Sequence, residues 1–134
     1  MKANTLIYIV DDTEDYRFLL KQFFKLTRPD DTLTFFPDGD LLCQQAQRPD
    51  SDEQRTERPD LILLDFHMPK LNGLQTLDCL NRFPSWQRVP VIMLSSTTDQ
   101  EEIDACYAAG VKATVHKSAI LTKLNLTIQA VLAA

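Results

Sequence analysis

Short apolar runs alternate along the chain with stretches whose apolar positions fall every three or four residues. TLIYIV (5–10), TLTFF (32–36), DLILLD (60–65), VPVIMLSS (89–96) and VKATVHK (111–117) are rich in β-branched and aliphatic residues. Runs of this length, bounded by polar residues, read as strands buried on both faces. Between them the period changes. Tyr16, Leu19, Leu20 and Phe23 form one stripe, which predicts a helix capped by Thr13 or Asp12 and ended by Pro29. Asp38 caps a second helix through Leu41, Leu42, Gln45 and Ala46. A third runs from Gly73 to Phe83 with Leu74, Leu77 and Leu80 inward, and Pro84 stops it. A fourth starts near Thr98 or Asp99, carries Ile103, Cys106 and Tyr107 on its apolar face, and ends at Gly110. The fifth spans residues 119–132 with Leu121, Leu124, Ile128 and Val131 facing in. Five such strands alternating with five amphipathic helices predict an α/β fold, a parallel sheet covered on both faces. Right-handed crossovers make that sheet doubly wound.

Composition narrows the picture. The 134 residues show no compositional break, so residues 1–134 are expected to form one domain. QRPDSDEQRTERPD (47–60) reads as a solvated loop, and the tripeptide RPD, at 28–30, 48–50 and 58–60, as turn chemistry at element boundaries. No stretch approaches the ~20 apolar residues of a membrane span. The first apolar run meets Asp11 and Asp12 at once, unlike a signal peptide, so a cytoplasmic protein without a membrane partner is expected. A net charge of −5 argues against nucleic acid as a partner. Cys43, Cys79 and Cys106 lack zinc-site spacing and are expected to be small core residues in a reducing compartment, not a disulfide framework.

The chemistry gathers at the strand ends. In a doubly wound sheet, ligands bind in the crevice beyond the carboxyl ends of the strands. There the sequence puts Asp11 and Asp12, Asp65, Ser95 and Ser96, and Lys117. Asp65 follows four aliphatic residues, and a carboxylate buried there needs a partner. Three converging carboxylates suit a hard, oxygen-seeking cation such as Mg²⁺. A lysine beside them adds the charge that an incoming anion would need. That set suits phosphoryl transfer to a carboxylate. The glycines at 39, 73 and 110 build neither a P-loop nor a GxGxxG turn, and the histidines, His67 and His116, follow no nucleophile-elbow pattern.

These segments resemble the receiver domain of two-component response regulators, of the stand-alone kind. The likeness rests on VDD (10–12), LLDFHMPKLNG (63–73) with its D-x-x-M-P-x-x-x-G pattern, PVIMLSS (90–96) and AAGVKATVHK (108–117), in order at successive strand ends. It implies a flavodoxin-like (βα)5 fold with strand order 2-1-3-4-5. It also implies that Asp65 accepts a phosphoryl group from a histidine kinase or a histidine phosphotransfer protein. Asp12 and Asp65 would bind Mg²⁺, with Asp11 acting directly or through water and His67 through its backbone carbonyl. Ser95 would hydrogen-bond the phosphoryl group and Lys117 would ion-pair with it. The output would pass to an unknown downstream protein, from a monomer or weak homodimer, and the chain would not turn over a separate substrate.

Two positions depart from the family pattern. Ser118 follows the lysine where proline is usual, and Thr114 replaces the usual aromatic. They motivate an alternative, a pseudo-receiver that docks partners without being phosphorylated. A metal-dependent phosphohydrolase is a third reading, disfavoured because 134 residues leave no cap over a small substrate. Elsewhere His67 reads as a loop histidine, His116 as structural, Thr97 as bordering the site entrance, and Trp86 as a partly exposed loop residue.

Overall fold

The structure is a computed structural model that describes residues 4–49 and 58–134. Its strands are β1 (Leu6–Val10), β2 (Thr32–Phe36), β3 (Leu61–Asp65), β4 (Val91–Ser95) and β5 (Ala113–His116). Its α-helices are α1 (Glu14–Thr27), α2 (Gly39–Gln47), α3 (Gly73–Leu80), the single turn α4 (Pro84–Gln87), α5 (Gln100–Ala108) and α6 (Asn125–Ala133). All strand pairs are parallel, in the order β2-β1-β3-β4-β5, as the resemblance implied. The predicted loop lies partly outside the described residues, at 50–57.

The two-residue period of the strands sorts their side chains into two cores. Ile7, Ile9, Leu61, Leu63, Ile92 and Leu94 pack beneath Leu20, Phe23 and Phe24 of α1 and Ile128 of α6. Tyr8, Val10, Ile62, Leu64, Val91 and Met93 pack beneath Leu42 of α2, Leu77 and Leu80 of α3, Trp86 of α4 and Cys106 of α5. Because apolar residues occupy both faces, the central strands have no polar side, and chemistry is confined to their ends.

Several expectations need correction. Pro84 does not merely stop α3. It opens α4 at the first helical position, where its missing N–H costs nothing. Trp86 is consequently buried, not a partly exposed loop residue. The last helix does not begin at residue 119. A 3₁₀ turn (Lys117–Ala119) and a π turn (Ile120–Leu124) precede α6. Leu121 is therefore turned out, 76% exposed, while Ile120, Leu124 and Ile128 face in. Leu19 and Tyr107 are also exposed, at 40% and 48%.

The cysteine expectation is overturned as well. Cys43 of α2 and Cys79 of α3 are joined by a disulfide, with Cα atoms 6.1 Å apart. Two helices lying side by side on one face of the sheet bring together residues 36 apart in sequence. Cys106 alone remains free and buried. Closing a loop of that length is worth about 3–4 kcal/mol in the chain-entropy account. Reduction of the oxidised protein is therefore expected to lower its stability by that amount, read from urea midpoints with and without reductant.

Gly73 joins this framework to the acid at the end of β3. Its N–H donates to the carbonyl of Phe66 at 2.8 Å. A Cβ here would lie 2.7 Å from Met93 Sδ, 2.8 Å from the Asp65 carbonyl oxygen and 2.9 Å from Phe66 Cα. Two of those neighbours are backbone and cannot give way. Gly73→Ala is expected to lose about 2–3 kcal/mol, measured by urea unfolding, through overpacking.

Candidate functional site

Four polar side chains are buried among the described residues: Asp11, Asp65, Ser95 and Thr76. Three of the four stand at the carboxyl end of the sheet, which singles out this edge. Asp11 follows β1, Asp65 closes β3 and Ser95 closes β4, while Lys117 follows β5. Because β1, β3 and β4 are neighbours in register, these residues arrive together without any long excursion of the backbone.

Lys117 Nζ lies 3.2 Å from Asp11 Oδ2 and 3.1 Å from Asp65 Oδ1. The ammonium thus answers the question of what pairs with a carboxylate at the end of a core strand. It sits 4.3 Å from the centroid of the Tyr16 ring, which covers its other side. Asp11 Oδ1 also accepts from the Thr13 N–H at 2.8 Å, and the Asp11 carbonyl accepts from Arg17 Nη1 at 2.6 Å. The His67 N–H donates to Asp65 Oδ1 at 3.3 Å, while the His67 side chain is exposed. Asp12 is exposed, yet Asp11, Asp12 and Asp65 each offer a carboxylate oxygen within 4.8 Å of the others. That set of hard oxygen donors, open on the Asp12 side, fits a divalent cation.

The electrostatics follow from burial. Burial first, then the charge of Asp11, pushes Asp65 up to about 6, against the opposing pull of Lys117 and the His67 N–H. Burial pulls Lys117 down, but Asp65 and Asp11 outweigh it and hold the ammonium above its ordinary value. Burial and the same two acids hold the Tyr16 phenol well above its usual range. The site carries two buried acids against one ammonium, so its metal-free form retains excess negative charge.

Ser95 Oγ accepts from the Thr97 N–H at 3.0 Å, which turns its hydroxyl into the loop after β4. Behind it a cavity of about 240 Å³ is bordered by Ser95, Cys106, Thr114, Val115 and His116. Thr114 leaves that space open. Its N–H donates instead to Tyr107 Oη at 3.2 Å, from α5. The Lys117–Ser118 peptide bond is trans.

All of Asp11, Asp12, Asp65, Ser95 and Lys117 are thus found at one edge, and His67 follows directly. Two neighbours escaped sequence reasoning. The periodicity puts Tyr16 on an apolar stripe, while its place in the first turn after the acidic pair aims it at the same edge. His116 reads from the sequence as structural, and its ring contacts both exit loops, with Nε2 3.0 Å from the Ser96 carbonyl.

The family model described as "Response regulator receiver domain" matches residues 7–129. Response regulator Rcp1 of Synechocystis sp. is 27% identical over 126 residues, covering 94% of this chain and 85% of that protein. The sensory/regulatory protein RpfC of Xanthomonas campestris is 33% identical over 86 residues, but the match spans 12% of its length. Among solved structures, the phosphorylated cyanobacterial phytochrome response regulator RcpA superposes with a TM-score of 0.75 at 26% identity, covering 98% of this chain and 91% of that one. The Mn²⁺-bound form of Rcp1 gives 0.75 at 26% identity, with coverage of 96% and 90%. No helix among the described residues is long and apolar enough to cross a membrane.

Proposed function

The chain belongs to the response regulator receiver family, and from that premise we propose that it is a phosphorylation-activated signalling switch whose acceptor is Asp65. The observation that carries this reading is the pairing of Lys117 with Asp65, 2% exposed, and Asp11, fully buried, at the end of the sheet. A structural ion pair would need one acid. A second buried acid and an exposed third make a receptacle for more positive charge.

Asp12, Asp65 and Asp11 would hold Mg²⁺, with the His67 carbonyl as a further oxygen donor. Bound there, the cation supplies charge neutralisation for a transferring phosphoryl group. The chain's own residues do the rest. A carboxylate oxygen of Asp65 attacks phosphorus of a phosphohistidine, the phosphorus–nitrogen bond breaks, and the leaving imidazole takes a proton. Lys117 turns from the two acids toward the new phosphoryl oxygens. The added group carries roughly −1.5 to −2 charge and strong acceptors. Ser95 then donates its hydroxyl to the group, which draws the loop after β4 inward. Because Thr114 leaves a cavity beside Ser95, that loop has room to move without displacing an aromatic ring.

The donor is a histidine kinase or histidine phosphotransfer protein, and the output is contact with a downstream protein. The whole chain, residues 1–134, acts as one receiver domain, a monomer or weak homodimer in the cytoplasm, with no separate substrate turned over. The test is intact mass after incubation with a small acyl phosphate. One phosphoryl adduct with Mg²⁺, and none without it, supports the switch. The absence of both an adduct and Mg²⁺ binding would favour the pseudo-receiver reading.

A further inference from the structure

The β4–β5 ladder ends at the pair Ser95–His116. Beyond that rung the two loops that carry Ser95 and Lys117 leave the sheet, and both must keep their spacing if one phosphoryl group is to meet both side chains. The His116 imidazole spans the gap. Its Nδ1 accepts from the Ser118 N–H at 3.1 Å and lies 2.7 Å from Ser118 Oγ, while Nε2 lies 3.0 Å from the Ser96 carbonyl. The partners dictate the tautomer. A peptide N–H only donates, so Nδ1 is bare. A carbonyl only accepts, so Nε2 carries the hydrogen. The ring therefore caps the 3₁₀ turn Lys117–Ala119 with one nitrogen and ties it to the loop after β4 with the other.

We propose that His116 is a positioning residue, a neutral imidazole strap that fixes the Lys117 loop to the Ser95 loop. This rests on the reading of Asp65 as a phospho-acceptor and adds what sets the geometry around it. The stem of Lys117 is long and rotatable, and serine follows it. The backbone of the loop is therefore held from outside, by the residue just before the lysine. His116 itself touches neither Asp65 nor the metal-binding acids, so its effect on chemistry passes through Lys117 and Ser95.

A substitution series separates the two nitrogens. His116→Ala removes both contacts. His116→Asn keeps an oxygen that can cap the Ser118 N–H but cannot reach Ser96. His116→Gln keeps an N–H with the reach to bond the Ser96 carbonyl. The readouts are the rate of phosphoryl uptake from a small acyl phosphate at saturating Mg²⁺, and Mg²⁺ affinity. The alanine and asparagine variants are expected to slow uptake about 10-fold, short of the roughly 100-fold that a 1 Å misplacement can cost, with glutamine returning to within about 3-fold of wild type. Mg²⁺ affinity should stay within about 2-fold throughout, because the carboxylates keep their places. Long-range proton–nitrogen NMR of the wild type should show a neutral ring with its hydrogen on Nε2.

Wild-type uptake in the alanine variant, equal recovery by asparagine and glutamine, a glutamine variant as slow as alanine, or a hydrogen on Nδ1 would each overturn the strap. If wild type and all variants neither bind Mg²⁺ nor take up a phosphoryl group, the acceptor reading fails and the role falls with it. Failure of the strap alone leaves all four proteins active.

Discussion

Asp65→Asn is expected to abolish phosphoryl uptake and, in the same protein, to stabilise the metal-free fold. Burial and the neighbouring charge of Asp11 raise Asp65 from its ordinary 3.8 to about 6. Between those values the folded chain holds a proton that the unfolded chain has released, so stability falls as pH rises through that window. Above it the full penalty applies, on the order of 3 kcal/mol for a difference of that size. Asparagine never ionises and escapes this penalty, from which the favourable pull of Lys117 on the carboxylate is already subtracted. A net gain of about 1–3 kcal/mol at pH 7, shrinking to nothing near pH 4, is the expected balance. Urea midpoints at the two pH values measure it, and intact mass measures uptake. An adduct persisting in the variant would place the acceptor elsewhere. A variant less stable than wild type at pH 7 would mean that the ion pair outweighs the burial of the acid.

Lys117→Met should act in the opposite direction. The methionine keeps an apolar stem against Tyr16 but strips the ammonium from both Asp11 and Asp65. Removing one partner of a buried ion pair typically destabilises by about 3–5 kcal/mol, because the remaining charge is stranded. Here two charges are stranded, but they can escape through a proton. With Lys117 gone, the pull that opposes the rise of Asp65 is gone, so the acid takes up a proton more readily. The loss is therefore expected to be full at pH 7 and clearly smaller at pH 5, and Mg²⁺ should recover part of it at pH 7. Equal losses at both pH values would show that Lys117 is not the counter-ion of these acids.

What the sequence disclosed follows from what leaves a local signature. Strands buried on both faces are continuous apolar runs, so LIYIV and LILLD announced themselves. The rule that ligands meet beyond the carboxyl ends then brings Asp11, Asp12, Asp65, Ser95 and Lys117 together from the sequence alone. Features that depend on packing between distant elements left no such trace. The Cys43–Cys79 bond exists because α2 and α3 lie side by side, which no spacing of cysteines reveals. Trp86 sits on one helical turn, too short to show a period of 3.6, and its packing against Tyr8 and the rest of that core layer shows why it is inside. Leu121 was misplaced because the π turn shifts the phase of the last helix by its extra residue. Tyr16 and His116 were visible as residues but not as neighbours of Lys117, since aromatic packing and a ring bridging two loops are facts of tertiary structure.

The contact between Lys117 and Asp11 spans 106 residues of sequence. β1 and β3 pair directly, but β5 sits at the sheet's far edge, reached only through β4. A refolding chain can therefore bring Asp11 and Asp65 face to face while their ammonium is still unplaced. Such a half-assembled sheet carries unrelieved repulsion at its centre, and docking of the final strand relieves it. Docking of β5 is thereby favoured electrostatically as well as by apolar burial. Mild acid or a divalent cation, either of which quiets the two carboxylates early, should make partly assembled forms longer-lived and easier to trap.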